Sequence, residues 1–111
     1  MAGIVRTGIW TADGPRAFEI EGAEIGATST LILSDMAVGR GPRLHKHPYA
    51  EVWVIHSGAV RFTAGDETID AATGDIVHVE AEKPHKFTVT EGPAKMVCIH
   101  TAARFHTDWL E

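Results

Sequence analysis

The stretch from Gly39 to Gly58, GRGPRLHKHPYAEVWVIHSG, decides how this chain is read. Five residues separate Gly39 from His45, one separates His45 from His47, three separate His47 from Glu51, and six separate Glu51 from Gly58. If each of these five types filled about one position in fifteen, a given start would match by chance about once in a million. In an extended strand, side chains two apart leave the same face, so His45 and His47 can converge on one ion. Glu51 shares the parity of Trp53 and Ile55, and a carboxylate pointing where large apolar groups point needs a partner. Left unpaired it costs several kcal/mol or protonates, whereas a divalent cation lets it stay charged.

Outward from this segment the chain reads as all-β. Short runs rich in Val, Ile, Thr, Phe and Trp recur at intervals of roughly ten residues. They predict strands over residues 17–20, 29–36, 44–47, 51–57, 59–63, 67–70, 76–79, 85–90 and 95–100. Ser57-Gly58, Gly65-Asp66, Thr73-Gly74 and Glu91-Gly92-Pro93 supply turn chemistry between them. So many short strands suit a sandwich or barrel, which covers sheet edges. Thr101 is expected to cap a short C-terminal helical turn with Ala102, Phe105 and Trp109 on one face. Residues 52–55 are apolar at both parities, so both faces of that strand should be covered, the second by another subunit in a homodimer.

Composition narrows the function classes. The 111 residues are 44% hydrophobic and 23% charged, which fits one globular domain over residues 1–111 and argues against global disorder. A net charge of -5 is the wrong sign for a phosphate-backbone binder, so no nucleic-acid partner is expected. The longest apolar runs, at 52–55 and 96–99, fall far short of the roughly twenty residues of a membrane-spanning helix. The N-terminus lacks a signal or transit pattern, and a lone Cys98 fits a reducing compartment; both point to the cytoplasm.

Gly39, His45, His47, Glu51 and Gly58 reproduce the first conserved motif of the cupin superfamily, spacing included, and the chain resembles a small single-domain member. The family's second motif is partly present. From Gly74 the pattern continues with proline, glycine, histidine and asparagine, where this chain has Glu80, Glu82, His85 and Val89. Only the opening glycine and the histidine survive, and Pro84 restricts the chain just before His85. The resemblance covers about Ser29 to His100. It implies an antiparallel jelly-roll sandwich or barrel in which His45, His47, Glu51 and His85 bind one divalent transition metal. Three imidazoles and a carboxylate suit manganese, iron, nickel, cobalt, copper or zinc. Four protein ligands close a tetrahedral site but leave two positions open on an octahedral ion.

The resemblance implies a metal-dependent enzyme acting on a small molecule, of dioxygenase, isomerase or decarboxylase type, without naming a catalytic residue. The alternatives are a non-catalytic small-ligand binder or sensor and a purely structural metal site. Arg40, Arg43, Lys46, Lys83 and Lys86 flank the ligand segments and raise the expectation of an anionic substrate, against the reading that they are solvated surface charges. His56 has the parity that turns it away from the site. His78 and His100 are candidates for lining the pocket or supporting a ligand, their roles left open. Tyr49 is expected simply to pack, Cys98 to be buried as a small hydrophobe, and Trp10 and Trp109 to anchor the termini. Met96, Phe62, Phe87, Trp53 and Val89 are expected in the core or pocket wall.

Overall fold

Alternation of inward apolar and outward polar side chains curls the strands into one roll. The computed structural model describes residues 2–111. Its strands are β1 (Arg16–Ile20), β2 (Thr30–Met36), β3 (His45–Lys46), β4 (Glu51–Ala64), β5 (Glu67–Ala72), β6 (Ile76–Val79), β7 (His85–His100) and β8 (Asp108–Trp109). Every pairing is antiparallel: β1-β2-β7-β3-β8 run side by side, while β4 pairs with β5, β6 and β7. The result is the curled, all-β jelly roll expected.

Two long strands replace four expected short ones. Residues 51–57 and 59–63 form the single strand β4, and residues 85–90 and 95–100 form β7. Both strands switch parity midway. In β4 the buried positions are Glu51, Trp53 and Ile55 before the switch and Val60, Phe62 and Ala64 after it. In β7 they are His85 and Val89, then Ala94, Met96, Cys98 and His100. The register shifts between Ile55 and Val60 insert the extra residues that reverse which face points inward. A break in periodicity with Gly at its centre reads as a turn; here it is a bulge at which the paired strands bend.

That bend gathers the site. Sixteen residues of straight strand would span about 50 Å, yet side chains from both ends of β7 meet Glu51, with His85 and His100 each 3.2 Å from its carboxylate. The core inside the roll is Trp53, Phe62, Ile55, Met96, Val60 and Val89, with Phe62 0% exposed and Trp53 1%. Trp53 lies within ring contact of both Phe62 and His85, so the apolar core forms the floor of the polar cluster.

The C-terminal segment corrects the sequence reading, because no helical turn follows Thr101. The backbone there bonds to distant elements: Thr101 N–H donates to the Ala50 carbonyl, Phe105 N–H to the Glu21 carboxylate, and the Ala103 carbonyl accepts from Ala23. With those groups committed, a helix would forfeit more than it gains. The chain instead reaches β3 and pairs His45 with Trp109 and Lys46 with Asp108. The strand expected over 44–47 shortens to His45–Lys46 as the chain enters Pro48. On the outer face of β4, Val52 and Val54 are half-buried, and Trp10 stacks on His56 at 4.8 Å while donating to the Ser34 carbonyl. The chain's own N-terminal segment thus reaches this outer face at His56.

Gly58 is required at the bend. Its φ is +90°, and an added Cβ would lie 2.7 Å from the Glu91 carbonyl oxygen and 2.8 Å from Ala94 Cα. Gly58→Ala is expected to destabilise the fold by roughly 1–3 kcal/mol through positive-φ strain and backbone displacement, lowering the melting temperature by several degrees in a thermal denaturation followed by circular dichroism. An unchanged melt would refute this account of the bend.

Candidate metal centre

Three strands, with the residue that follows β3, bring the site together. His45 comes from β3, His47 from the residue after it, Glu51 from the first residue of β4, and His85 from the first residue of β7. All four are buried, and they present ligand atoms that lie within 4.8 Å of one another. These are the four site residues expected from the sequence, and the structure brings all of them together. The parity argument for His45 and His47 holds, with ring centroids 4.9 Å apart, and Glu51 points inward with Trp53 and Ile55.

The tautomers follow from the outer hydrogen bonds. His45 Nδ1 lies 2.7 Å from the Arg43 carbonyl, His47 Nδ1 2.9 Å from that of His106, and His85 Nδ1 2.8 Å from that of Lys83. A carbonyl only accepts, so each Nδ1 carries the proton and each neutral ring turns an Nε2 lone pair to the centre. Glu51 Oε1 faces the same point, 3.0 Å from His47 Nε2 and 3.2 Å from His85 Nε2. Although that first distance falls within ion-pair range, His47 Nε2 is buried with no hydrogen bond of acceptable geometry. Converging lone pairs repel unless a cation sits among them, so this donor set fits a divalent metal. Carbonyls that orient the rings from behind are a usual feature of histidine metal sites.

Glu51 Oε2 is held differently. His100 Nε2 is 3.2 Å away, and the Cys98 thiol donates to the same oxygen. Tyr49 donates its hydroxyl to His100 Nδ1 at 2.6 Å, which leaves His100 Nε2–H free to donate to Glu51. Tyr49 therefore does more than pack: it stacks on His47 at 5.0 Å, fixes the His100 tautomer and accepts from the His106 N–H. Cys98 is buried as expected, but its thiol is a donor to the carboxylate rather than a purely apolar filler. Glu51, Cys98 and His100 form a second cluster with ligand-type atoms in mutual range.

The electrostatics follow from these contacts. Burial opposes ionisation of Glu51, but the neighbouring His100, His47 and His85 outweigh it and hold the carboxyl well below the usual carboxylate range. Burial pushes His45 down, favouring the neutral ring. Burial also acts downward on His47, but Glu51 and the His106 carbonyl overcome it and raise that imidazole. Burial and the neighbouring Glu51 push the Cys98 thiol well up, keeping it protonated.

Where the chain departs from the family's second motif, the backbone shape persists. Glu82, at the glycine position, has φ +68°, and its N–H donates to the His47 carbonyl at 2.7 Å. Val89, at the asparagine position, is a core residue whose N–H and carbonyl pair with Arg40 and Gly39. The remaining histidines, His56, His78 and His106, are exposed. Trp109 is 54% exposed and lies against His45, with the Arg43 guanidinium 5.0 Å from its ring, so it flanks the site rather than burying the terminus.

A cavity of about 390 Å³ opens on the cluster, with His45, His47, Glu51 and His100 in its wall. None of the five flanking basic residues lines it. Lys46 pairs with Glu82, Lys83 with Glu67 and Glu80, and Lys86 with Glu111. Those charges belong to the surface and give no support of their own to an anionic substrate.

The family model described as cupin domain matches residues 32–100, more than half of the chain. Solved structures of similar shape include oxalate decarboxylase from Bacillus subtilis at pH 4.6, with a TM-score of 0.77 and 24% identity, covering 87% of this chain and 28% of that one. Another comes from work on the Mn(II) centres of the Bacillus subtilis oxalate decarboxylase, with the same values. A third, concerned with the substrate binding mode and a reaction specificity switch in oxalate decarboxylase, has a TM-score of 0.76 and 20% identity, covering 89% and 29%. The chain thus spans less than a third of these proteins, and at such identity the likeness is one of fold. No curated protein matches the chain. The jelly-roll fold, the histidine–glutamate cluster within it and the matched domain model together place the chain in the cupin family.

Proposed function

We propose that His45, His47, Glu51 and His85 bind one divalent transition-metal ion, drawn from manganese, iron, nickel, cobalt, copper and zinc, and that the chain is a metal-dependent enzyme acting on a small molecule. The observation that carries this reading is the convergence of three imidazole lone pairs and Glu51 Oε1 on one point, with His47 Nε2 buried and otherwise unpartnered. A bound ion would supply Lewis-acid polarisation or redox chemistry, as dioxygenase, isomerase and decarboxylase reactions of this kind require. The chain's own part is to hold the rings by Nδ1, fix Glu51 through Oε2, and confine a substrate in the adjoining cavity. That cavity is what favours a working site over a purely structural one, since a structural site needs no space beside it. A cytoplasmic homodimer completes the proposal, supported by a single, buried thiol and by half-buried valines on the outer face of β4; sedimentation at micromolar concentration checks the dimer.

Metal analysis tests the centre. Wild-type protein purified without added metal is expected to carry about one ion per chain, whereas His47→Ala and Glu51→Ala should each lose affinity by tenfold or more while keeping a β-rich circular dichroism spectrum. Equal metal content in the three proteins would overturn the assignment.

The pH dependence has a definite sign. Protons compete with the ion for each Nε2, so occupancy should fall as the pH drops through about 6.5, the ordinary imidazole value. His47, raised by its carboxylate, protonates before an ordinary histidine on acidification and should start the loss on the alkaline side of that value, whereas His45, lowered by burial, resists to lower pH. Equilibrium dialysis across pH 5 to 8 reads this directly. Occupancy unchanged at pH 5 would exclude histidine ligation.

A further inference from the structure

The cavity beside the cluster has a chemical character that the metal reading alone does not specify. Ile32, Met36, Phe87, Met96, Phe105 and Trp109 are the large apolar side chains of its wall besides Trp53. Ser34 and Thr107 add hydroxyls, and no Lys or Arg among the described residues lines it. Glu19, exposed on the edge strand β1, is its one acidic residue apart from Glu51. Its strand position pairs with Ile32, which pairs in turn with Cys98, so Glu19 belongs to the sheet row that leads to the Glu51 cluster.

Charge arithmetic follows. A divalent ion beside ionised Glu51 carries one net positive charge, which a single anionic oxygen neutralises. A second anionic group held too far from the first to reach the same ion would lie against the apolar wall or near Glu19. Without a cationic or donor-rich partner it would lose its hydration uncompensated. The volume, about 390 Å³, lies at the small end of ligand sites.

We propose that this cavity takes a small molecule with one anionic oxygen donor on an otherwise apolar body, and that the apolar wall and Glu19 together reject dicarboxylates whose second group cannot reach the ion. The proposal rests on the metal centre described above and assigns Glu19 a role in specificity.

The test uses protein reconstituted with Mn(II) and two probes, benzoate and terephthalate, whose second carboxylate cannot reach the ion that holds the first. Binding is read by quenching of tryptophan fluorescence and by water-proton relaxation at the ion, with metal content measured after each titration. Free divalent ions bind the terephthalate dianion no more weakly than benzoate; in this protein benzoate should bind more tightly. Glu19→Lys, an exposed substitution outside the ligand set, should shift the terephthalate-to-benzoate affinity ratio toward terephthalate by about three- to fivefold, the scale of an exposed charge pair. Glu19→Gln should shift it less in the same direction. Tighter binding of terephthalate than benzoate with the ion retained, no response to benzoate, or an unchanged ratio in Glu19→Lys would overturn the proposal while leaving the metal centre standing. Protein that retains no Mn(II) before any probe is added would instead overturn the metal reading and this proposal with it.

Discussion

A carboxylate 3% exposed, set on top of a tryptophan 1% exposed, is the constraint that the rest of the structure answers. Unpaired, Glu51 would cost several kcal/mol or lose its charge. The fold meets that demand by giving its two oxygens separate partners. Oε2 accepts from Cys98 and His100, which come from the same inward row of β7, and Oε1 is left facing imidazole lone pairs. The first arrangement settles where the carboxylate points. The second leaves an electrostatic demand that protein groups do not meet, and this is the property expected of a ligand rather than of a structural acid.

Bringing both ends of one strand to a single residue is possible only because β4 and β7 bend together. The paired parity switch keeps apolar side chains inward on both sides of the bend, so the core under the site and the far half of the roll belong to one packed interior. The backbone approaches too closely at Gly58 for any Cβ, which makes this glycine of the first motif a requirement of curvature rather than of chemistry. His45, His47 and Glu51 supply donors, and Gly58 supplies the geometry that lets β7 reach them.

The convergence of His45, His47 and Glu51 was legible in the sequence because strand parity is local. His45 and His47 two apart, and Glu51 in step with Trp53 and Ile55, need no knowledge of distant pairing. His100, Tyr49 and Cys98 were less legible, since their roles depend on the register of β7 against β4, in which Glu51 sits opposite His100. Tyr49 lies 51 residues from the ring it orients, and no periodicity reports such a contact. The merged strands were missed because a bulge and a turn share the same residues, Gly and Pro among them. The C-terminal helical turn failed for another reason: carbonyls and amides of residues 101–105 find partners on other elements, a tertiary preference that local patterning does not encode. At Glu82 a family glycine is absent while the positive φ it would serve remains, held by a bond to the His47 carbonyl and by the Lys46–Glu82 ion pair.

The opposite displacements of His45 and His47 bear on how the cluster would take up an ion. Were the cluster simply acidic, every imidazole beside it would be raised; instead burial lowers His45 and the carboxylate raises His47. Three rings whose Nδ1 protons are already committed to carbonyls cannot rotate to relieve the repulsion among their Nε2 atoms without abandoning those bonds. The inexpensive relief for the metal-free cluster is therefore a proton on His47, next to Glu51, rather than rearrangement of the side chains. A metal ion bound there would replace that proton with a divalent charge in a cage already shaped to receive it, which would limit the ordering cost of the site to a few rotamers.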